Sequence, residues 1–509
     1  MKSGESRWIW TRVGFPLRQI GMSVLLATPC YLLPDVVKSQ TLFEKTFGGA
    51  EDDEGSSVQE TRDKGFIING YTKSIGSDSL DFYLIKTDSM GDSLWAKTYT
   101  YPYVDSSRDV GYSVFQNSDG GYLLVGSTSW DSDSNNLYMI RTDSMGIVIC
   151  SQVVGGIEGE VGYSGQETSN GWFILAGYTN TFGDGLEDVY LVFTNPWCDT
   201  LMTRFYGGSG SEKGYSVKET QDGSFIVAGY TTSFGAGLSD VYLIKVDSIL
   251  NPLWERTYGG TDWDVGYSVQ QTVPDDGYVI VGGTKSFGEG LEDVYLIKTN
   301  SLGDTLWSRT YGGALDDIGY SVDQTSDGGY IITGTTSSFG AGNQDVWLIK
   351  TDSLGDTLWT CTFGGINNDW GNSVEETSDS AYIFTGVTAS FGAGLRDVYL
   401  VKTLGCGSVG IEEDTDLRFE ISDFRLMQNA PNPFHSSTMI CFTLPASGFT
   451  SLKIYDITGR LVETLVNESQ EPGVYQLPIT IHQLPSSGIY FYRLETGERK
   501  YTRKMILIK

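Results

Sequence analysis

Short runs of alternating apolar and polar residues recur seven times between residues 41 and 403, with a period of about 52 residues. In the sixth copy four such runs span residues 319–325, 330–336, 345–351 and 357–363. Segments rich in Gly, Asp and Ser separate them, as tight turns require. Each copy is therefore predicted to form four short β-strands.

The connections between these runs are short enough to join antiparallel neighbours. Four antiparallel strands repeated at a constant period, without any helical pattern, favour a β-propeller over a solenoid or a string of sandwiches. We therefore expect an all-β fold in which each copy is one blade.

The seventh copy ends early, because its third strand at residues 397–403 is followed by no fourth strand. Residues 41–47 supply an equivalent, since the segment 41–49 aligns with residues 305–313 at the end of the fifth copy. A strand borrowed from the opposite end of the repeat predicts a closed ring of seven blades, because closure protects the edge strands.

A tryptophan recurs in the last hairpin of most copies, within an Asp-x-x-Gly-x-x-x-Trp pattern such as 352–359 and 88–95. This hairpin resembles the tryptophan-docking motif of quinoprotein-type propellers, which implies that each Trp locks one blade to the next. The resemblance carries no cofactor to this chain. Cys150 and Met202 stand where other copies have Trp, so the docking of the second and third blades is left open.

The first 39 residues have the pattern of an export signal. Arg7, Arg12 and Arg18 precede an apolar run at 20–33, which is short for a membrane span, and cleavage is expected after Ser39. Cys30 is an alternative lipoprotein site, but Pro29 disfavours it. No transmembrane segment is expected after the signal is removed.

Negative charge is concentrated in the repeat. Residues 41–404 contain 50 Asp and Glu against 19 Lys and Arg, a net of −31, whereas residues 405–509 contain 12 against 10, a net of −2. Such a surface repels nucleic acid and anionic membranes and attracts cations or basic partners. Simple solvation of a secreted surface is the alternative explanation.

Residues 405–423 read as a linker, and residues 424–509 form a different module with six strand-like runs. Its motifs contain Asn429, Pro431, Asn432, Pro433, Phe434, Gly459, Arg460, Gly488, Tyr490, Lys504 and Lys509. The module strongly resembles the type A C-terminal sorting domain of type IX secretion substrates. The resemblance implies an Ig-like β-sandwich, recognition by the type IX machinery of the outer membrane, and export through the periplasm to the surface or medium. An accessory Ig-like domain is the alternative.

Five cysteines remain after the signal: Cys150, Cys198, Cys361, Cys406 and Cys441. Their odd number and irregular spacing predict no disulfide framework and no Cys-based metal site. Cys150 is expected to be a small apolar substitute for Trp.

Catalytic chemistry is sparse in the repeat. The chain has two histidines, His435 and His482, and both lie in the C-terminal module. The repeat therefore contains no Ser-His-Asp triad, His-based zinc site or histidine base. Its most regular carboxylates occupy one position before the third strand in nearly every copy and are expected to cap turns rather than catalyse. We expect no enzyme activity, and a carboxylate-based carbohydrate-active enzyme is the alternative.

Two sets of residues lie in the loops after the Gly-Gly turns. Asp262, Asp264, Asp316 and Asp317 offer closely spaced oxygens that calcium would favour, although solvated acidic loops also explain them. Trp263 and Trp370 are candidate contacts for a glycan, peptide or cation. The expected function is binding or display outside the cell, with a secreted polysaccharide hydrolase or lyase as the alternative and a structural surface layer as a third class.

Overall fold

The computed structural model describes residues 39–77, 79–103, 107–129, 134–406, 425–426, 437–444, 446–470, 473–480, 484–497 and 499–507. The chain forms two compact units, Met1–Val409 and Gly410–Lys509. Residues 1–38 of the predicted signal peptide and 407–423 of the predicted linker, with Cys30, His435 and His482, lie outside the described residues, whereas Ser39 and residues 405–406 belong to strands. Among the residues described, no helix is both long and apolar enough to span a membrane.

The first unit contains seven four-stranded antiparallel sheets. Blades 1 to 3 are β2 (Asp53–Glu60), β3 (Phe66–Thr72), β4 (Asp81–Thr87), β5 (Ser93–Tyr99); β6 (Arg108–Gln116), β7 (Tyr122–Ser129), β8 (Asn136–Thr142), β9 (Val148–Val154); and β10 (Glu160–Glu167), β11 (Phe173–Thr179), β12 (Asp188–Thr194), β13 (Thr200–Tyr206). Blades 4 to 6 are β14 (Glu212–Glu219), β15 (Phe225–Thr231), β16 (Asp240–Val246), β17 (Pro252–Tyr258); β18 (Asp264–Gln271), β19 (Tyr278–Thr284), β20 (Asp293–Thr299), β21 (Thr305–Tyr311); and β22 (Asp317–Gln324), β23 (Tyr330–Thr336), β24 (Asp345–Thr351), β25 (Thr357–Phe363). Blade 7 contains β26 (Asp369–Glu376), β27 (Tyr382–Thr388), β28 (Asp397–Cys406) and β1 (Ser39–Phe47).

The seventh blade joins the two ends of the ring. Its strand order is β1-β28-β27-β26, and β1 pairs antiparallel to β28 with Phe43 opposite Lys402 and Phe47 opposite Val398. The predicted seven-bladed propeller with N-terminal strand closure is therefore confirmed. In the sixth blade, three strands have the predicted bounds and β22 begins two residues earlier than predicted.

The middle strands of each blade carry the core. Every residue of β20 is buried, for example, because neighbouring blades cover both faces of the sheet. Separate apolar clusters, one at each blade boundary, therefore stabilise the ring.

The recurring tryptophans dock four of the seven blades onto the next. Trp307 lies so close to Gly355 of the sixth blade that a Cβ there would be 2.7 Å from its ring, and Trp359 packs against Gly405 in the same way. Both glycines have positive φ, 79° and 98°. The turn therefore needs glycine both for its backbone conformation and to admit the indole.

The expectation that the cysteines form no disulfides is wrong. Cys150 is bonded to Cys198 with 6.0 Å between Cα atoms, and Cys361 is bonded to Cys406 with 5.8 Å between Cα atoms. The sequence separations are 48 and 45 residues. Each bond joins the outer strand of one blade to the next blade, at its last turn for Cys198 and at the end of β28 for Cys406. The pairing is therefore visible only when the blades lie side by side. The odd cysteine is Cys441, which lies in the second unit.

The second unit is a two-sheet β-sandwich, as expected. One sheet has the order β29 (Arg425–Leu426), β30 (Ser437–Leu444), β33 (Gly473–Thr480). The other has the order β32 (Leu461–Gln470), β31 (Gly448–Asp456), β34 (Gly488–Thr496), β35 (Arg499–Leu507). Their inward residues form one core that includes Phe442, Leu452, Tyr492 and Met505.

Several predicted sorting residues lie in this sandwich. Gly459 takes φ 84° in the hairpin where Arg460 donates to Asp456, and the Tyr490 hydroxyl donates to the Ser486 carbonyl at 2.7 Å. Gly488 begins β34, and Lys504 lies in β35. Outside the described residues are Asn429, Pro431, Asn432, Pro433, Phe434 and Lys509.

Candidate functional site

The innermost strand of each blade faces a central channel. These strands occupy the free edge of their sheets and pack against the innermost strands of both neighbouring blades. In all seven, the ladder to the second strand has a β-bulge directly after a glycine. A bulge leaves one residue unpaired and redirects its side chain. We call the seven bulge residues the tyrosine ring: Ser56, Tyr112, Tyr163, Tyr215, Tyr267, Tyr320 and Asn372.

The five tyrosines form a continuous aromatic arc over blades 2 to 6. Centroids of neighbouring rings are 5.1, 4.9, 5.1 and 5.2 Å apart, with interplanar angles between 45° and 63°. All five side chains are half-buried. Burial raises the pKa of each hydroxyl, that of Tyr267 to about 12, so the ring is uncharged at physiological pH.

The arc is interrupted at blades 7 and 1, where Asn372 and Ser56 replace tyrosine. Glu54 lies beside this gap. Its carboxylate accepts hydrogen bonds from the Tyr71 hydroxyl at 3.0 Å and from Asn372 Nδ2 at 3.3 Å. The Asn372 amide also donates to the Gly55 carbonyl at 3.0 Å. Burial raises the pKa of Glu54, although these donors and the charge of Arg396 oppose the shift.

Every tyrosine of the arc lies within electrostatic range of a glutamate. After burial, the charge of Glu54 also raises the pKa of Tyr112 and Tyr320. Glu187 acts in the same way on Tyr163 and Tyr215, and Glu292 on Tyr267 and Tyr320. The charge of Arg108 opposes the shift at Tyr112. The channel at this level is thus aromatic, with three glutamates close to it.

The predicted ligand contacts Trp370 and Trp263 lie two blades apart. Trp370 is half-buried at the start of β26, next to the gap. Its Nε1 donates to Gln344 at 2.9 Å, and Arg396 lies 5.0 Å from its ring centre. Trp263 lies just before β18 in blade 5 and is 47% exposed. The prediction that both contact a ligand stays a prediction.

The predicted calcium residues differ in environment. Asp264 is fully buried and accepts from the Gly260 amide and the Ser286 hydroxyl, and Asp317 accepts from the Gly313 amide in the same way. Asp262 and Asp316 are half-buried, and Asp262 accepts from the Trp263 amide. Within the described part of the chain, no three His, Cys, Asp or Glu side chains are grouped to hold a metal. A calcium site here stays a prediction.

Further along the inner strands lies a second set of seven residues, which we call the mixed ring: Gln59, Phe115, Gln166, Lys218, Gln270, Asp323 and Glu375. Four of them link adjacent blades through side-chain oxygens. Gln59 and Gln270 each accept a backbone amide of the next blade at 2.7 Å, Asp323 does so at 2.9 Å and Glu375 at 2.8 Å. The amide and carboxyl side chains are thus interchangeable as structural acceptors.

The mixed ring also contains three buried ionisable side chains with shifted pKa values. Burial raises the pKa of Glu375 to about 8 and also raises that of Asp323, whose charge adds to the effect on Glu375. Burial lowers the pKa of Lys218, while both carboxylates oppose that shift. A cavity of about 670 Å³ lies beside Lys218 and is lined by Glu219, Gln270 and other polar residues.

Sequence reasoning missed both rings. The Gly-Tyr-Ser pattern recurs in five copies, and such regularity does not distinguish a channel residue from a scaffold residue. The available signal was the two copies that depart from it, at Ser56 and Asn372. The bulge directs these side chains toward the channel, and the only sequence feature that accompanies it is the preceding glycine.

Comparison with known families identifies the second unit. Residues 430–509 match the family model described as the secretion system C-terminal sorting domain. The chain therefore carries a type IX sorting domain, and the protein is exported to the outer surface or the medium. The domain implies an interaction with the type IX secretion machinery.

No curated protein matches the chain in sequence. Among solved structures, the chain is similar to an α-L-arabinanase of Penicillium chrysogenum, with 9% identity, 72% of this chain and 99% of that chain covered, and a TM-score of 0.40. Sqt1 from Chaetomium thermophilum has 10% identity, coverage of 69% and 82%, and a TM-score of 0.40. The GH93 α-L-arabinofuranosidase of Fusarium graminearum has 10% identity, coverage of 70% and 97%, and a TM-score of 0.38. Likenesses this distant carry no argument about function.

Proposed function

We propose that this exported protein is a binding protein whose ligand enters the propeller channel and contacts the tyrosine ring. The observation that carries the proposal is the broken arc. Tyr112, Tyr163, Tyr215, Tyr267 and Tyr320 occupy one bulge position, whereas Asn372 and Ser56 occupy it at the two adjacent blades where Glu54 lies. A purely structural ring has no need for a polar gap with a half-buried carboxylate at one side.

Binding fits the chemistry of this ring better than catalysis does. Tyrosines that stay protonated offer flat apolar faces and hydroxyl groups, which suit recognition. The Glu54 carboxylate is engaged by Tyr71 and Asn372, which orients it toward a ligand. The sorting domain delivers such a receptor to the cell exterior, where a glycan, a peptide or a small cation is available.

A ligand panel with ring variants tests this proposal. The mature protein and its Tyr215→Asn variant are screened against glycans, peptides and small cations, with Tyr215→Phe as the matched control. Asparagine already occupies the equivalent position in blade 7, so the substitution is compatible with the bulge. A ligand that binds the parent and is weakened about tenfold or more by Tyr215→Asn supports the proposal. Ligands that bind all three proteins equally would contradict it.

A second candidate function, polysaccharide hydrolysis, is favoured by the pair formed by Asp323 and Glu375. These carboxyls lie on adjacent blades, and the raised pKa of Glu375, about 8, would keep it protonated as a general acid at neutral pH. Against this, each carboxyl accepts a backbone amide as Gln59 and Gln270 do, so a structural role already explains the positions.

The variant Glu375→Gln separates the two functions. Glutamine keeps the acceptor oxygen that the Glu60 amide requires, so folding should be preserved. A hydrolase would release reducing sugar from a polysaccharide panel and lose that activity in the variant. If no polysaccharide is cleaved by the parent protein, the hydrolase candidate is rejected and the binding proposal is unaffected.

A further inference from the structure

We propose that the tyrosine ring binds an organic cation, a quaternary or alkylated ammonium group, on the channel axis with Glu54 as its counter-charge. The inference rests on the proposed binding function and names its ligand class. The group would belong to a small molecule or to a modified side chain of a peptide, which share this chemistry.

The size of the ring suits an ammonium group. Neighbouring tyrosine centroids are 4.9 to 5.2 Å apart. Seven equally spaced positions with that separation lie on a circle with a radius of roughly 5.6 to 6.0 Å, and cation–π attraction acts within about 6 Å of a ring centroid. A cation on the axis therefore lies within that distance of all five ring centroids at once, and rings that turn their faces toward it would attract it.

The charge around the ring has the sign that this ligand needs. Lys213 lies 2.9 Å from Glu187, and Lys285 lies 3.4 Å from Glu292, so a lysine partly neutralises each of these two glutamates. Glu54 instead receives hydrogen bonds from neutral donors, Tyr71 and Asn372. Arg396 acts on Glu54 through its charge, but its ion pair is with Asp52, at 3.8 Å. Glu54 is thus the carboxylate available to face a ligand cation from the gap in the arc.

The electrostatic field of the whole propeller also favours a cationic ligand. Residues 41–404 carry a net charge of −31, and a cleft within a surface of one sign concentrates ions of the opposite sign. Burial raises the pKa of the Tyr163 and Tyr215 hydroxyls, so these rings stay neutral. Their attraction for a cation then comes from the ring quadrupole, which persists where water is excluded.

A metal ion fits this ring less well than an alkylated ammonium. Calcium requires six to eight oxygen ligands at about 2.3 to 2.6 Å, and the described residues contain no group of three acidic, His or Cys side chains arranged to hold a metal. An ammonium with methyl substituents needs no such ligands, because aromatic faces replace its weak hydration. The broad aromatic arc with one carboxylate is therefore suited to a large, diffuse charge.

Choline and its neutral isostere 3,3-dimethylbutan-1-ol form the matched probe pair. The full mature protein is titrated with each compound, and with tetramethylammonium, by calorimetry or ligand-observed NMR. The expected result is measurable binding of both cations and at least roughly tenfold weaker binding of the isostere, because only the charge differs. Equal affinity for choline and the isostere would overturn the proposal.

Three variants locate the site. Tyr215→Asn, which removes the central ring of the arc, and Glu54→Gln are each expected to weaken choline binding by roughly five- to thirtyfold, whereas Tyr215→Phe keeps it within about threefold. A folded Tyr215→Asn or Glu54→Gln protein that binds choline like the parent contradicts the assignment.

The same variants distinguish this inference from the function on which it rests. If choline does not bind but another ligand of the panel is lost in Tyr215→Asn, the cation inference fails and channel binding stands. If no ligand responds to Tyr215→Asn, both fail.

Discussion

Cys150 and Cys198 are bonded across the boundary between blades 2 and 3, at the two positions that Trp95 and Gly146 occupy one boundary earlier. Cys198 has φ 66°, in the region that glycine occupies in the equivalent turns. At this boundary a pair of bonded cysteines thus takes the place of the tryptophan–glycine pair that is found one boundary earlier. At both boundaries with disulfides, Val154 and Phe363 replace the tyrosine whose hydroxyl bonds the next turn elsewhere, as Tyr258 bonds Gly303 at 2.6 Å. Phe47 replaces the same tyrosine at the boundary between blades 7 and 1.

Removal of the Cys150–Cys198 disulfide should destabilise the propeller. Cys150→Ser is expected to lower the free energy of unfolding by about 2 to 4 kcal/mol, because a cross-link over 48 residues restricts the unfolded chain. The double variant Cys150→Trp with Cys198→Gly should recover much of this loss by restoring the indole–glycine contact. Thermal unfolding under identical oxidising conditions measures both. The exchange model is wrong if the double variant is less stable than Cys150→Ser.

The docking glycines make a second prediction. Gly355→Ala places a Cβ 2.7 Å from the Trp307 ring at φ 79°, whereas Gly328→Ala has a similar φ, 83°, and no heavy atom within 4 Å. Gly328→Ala should therefore cost only the backbone strain, about 1 kcal/mol, and Gly355→Ala about 2 to 4 kcal/mol. Chemical denaturation of the two variants and the parent measures the difference. Equal losses would show that the indole does not constrain this turn.

The blade pattern was predictable from the sequence because strand and turn signals are local. Residues 330–336 are rich in strand-forming residues and are bounded by turn residues, so the predicted bounds of β23 match those of the structure. Closure was predictable as well, since 41–47 repeats the residues of an outer strand and now pairs with β28.

The disulfides and the channel were not predictable in this way. Cys361 and Cys406 belong to different blades, and only the ring places them 5.8 Å apart. The Tyr215 side chain enters the channel because of a bulge, which depends on how two strands pair rather than on either strand alone. Repetition made these tyrosines look like scaffold, although the copies that differ, Ser56 and Asn372, mark the candidate site.

A buried carboxyl pair predicts a pH dependence of stability. Asp293 and Asp317 both lie close to Gly312, and Oδ1 of Asp293 has no hydrogen-bond partner among the described residues. Burial raises the pKa of Asp293 to about 6, and the charge of Asp317 adds to this. The folded state then holds a proton that the unfolded state releases, so stability should fall as the pH rises from about 4 through 6.

The variant Asp293→Asn removes that loss. Asparagine occurs at the equivalent position of blade 2 as Asn136, so the turn accepts it. At pH 7.5 the variant should be more stable than the parent by about 1 to 3 kcal/mol, and at pH 4 the two should be nearly equal. Melting temperatures across this range test the sign, and a parent protein that gains stability relative to the variant between pH 4 and 7 refutes it.

The sorting domain predicts the fate of a truncated protein. Deletion of residues 410–509 removes the matched family region together with the second compact unit. The propeller should fold with an unchanged melting temperature but accumulate in the periplasm, because the outer-membrane machinery has nothing to recognise. Fractionation with a periplasmic marker measures this. Normal appearance of the truncated protein in the medium would show that other residues direct export.

Ring closure by β1 can be tested by removal and return of the strand. A protein that begins its mature sequence at residue 48 lacks the partner of β28 and the Phe43 ring, which lies against Gly91 of blade 1. The exposed edge and the lost docking contact should lower the melting temperature by several degrees and promote association through β28. A synthetic peptide of residues 39–47 should restore the monomer and the melting temperature.

The same peptide with Phe43→Ser should pair with β28 but restore less stability, since it cannot dock on blade 1. If truncation has no effect on stability or association, the seventh blade does not depend on its borrowed strand.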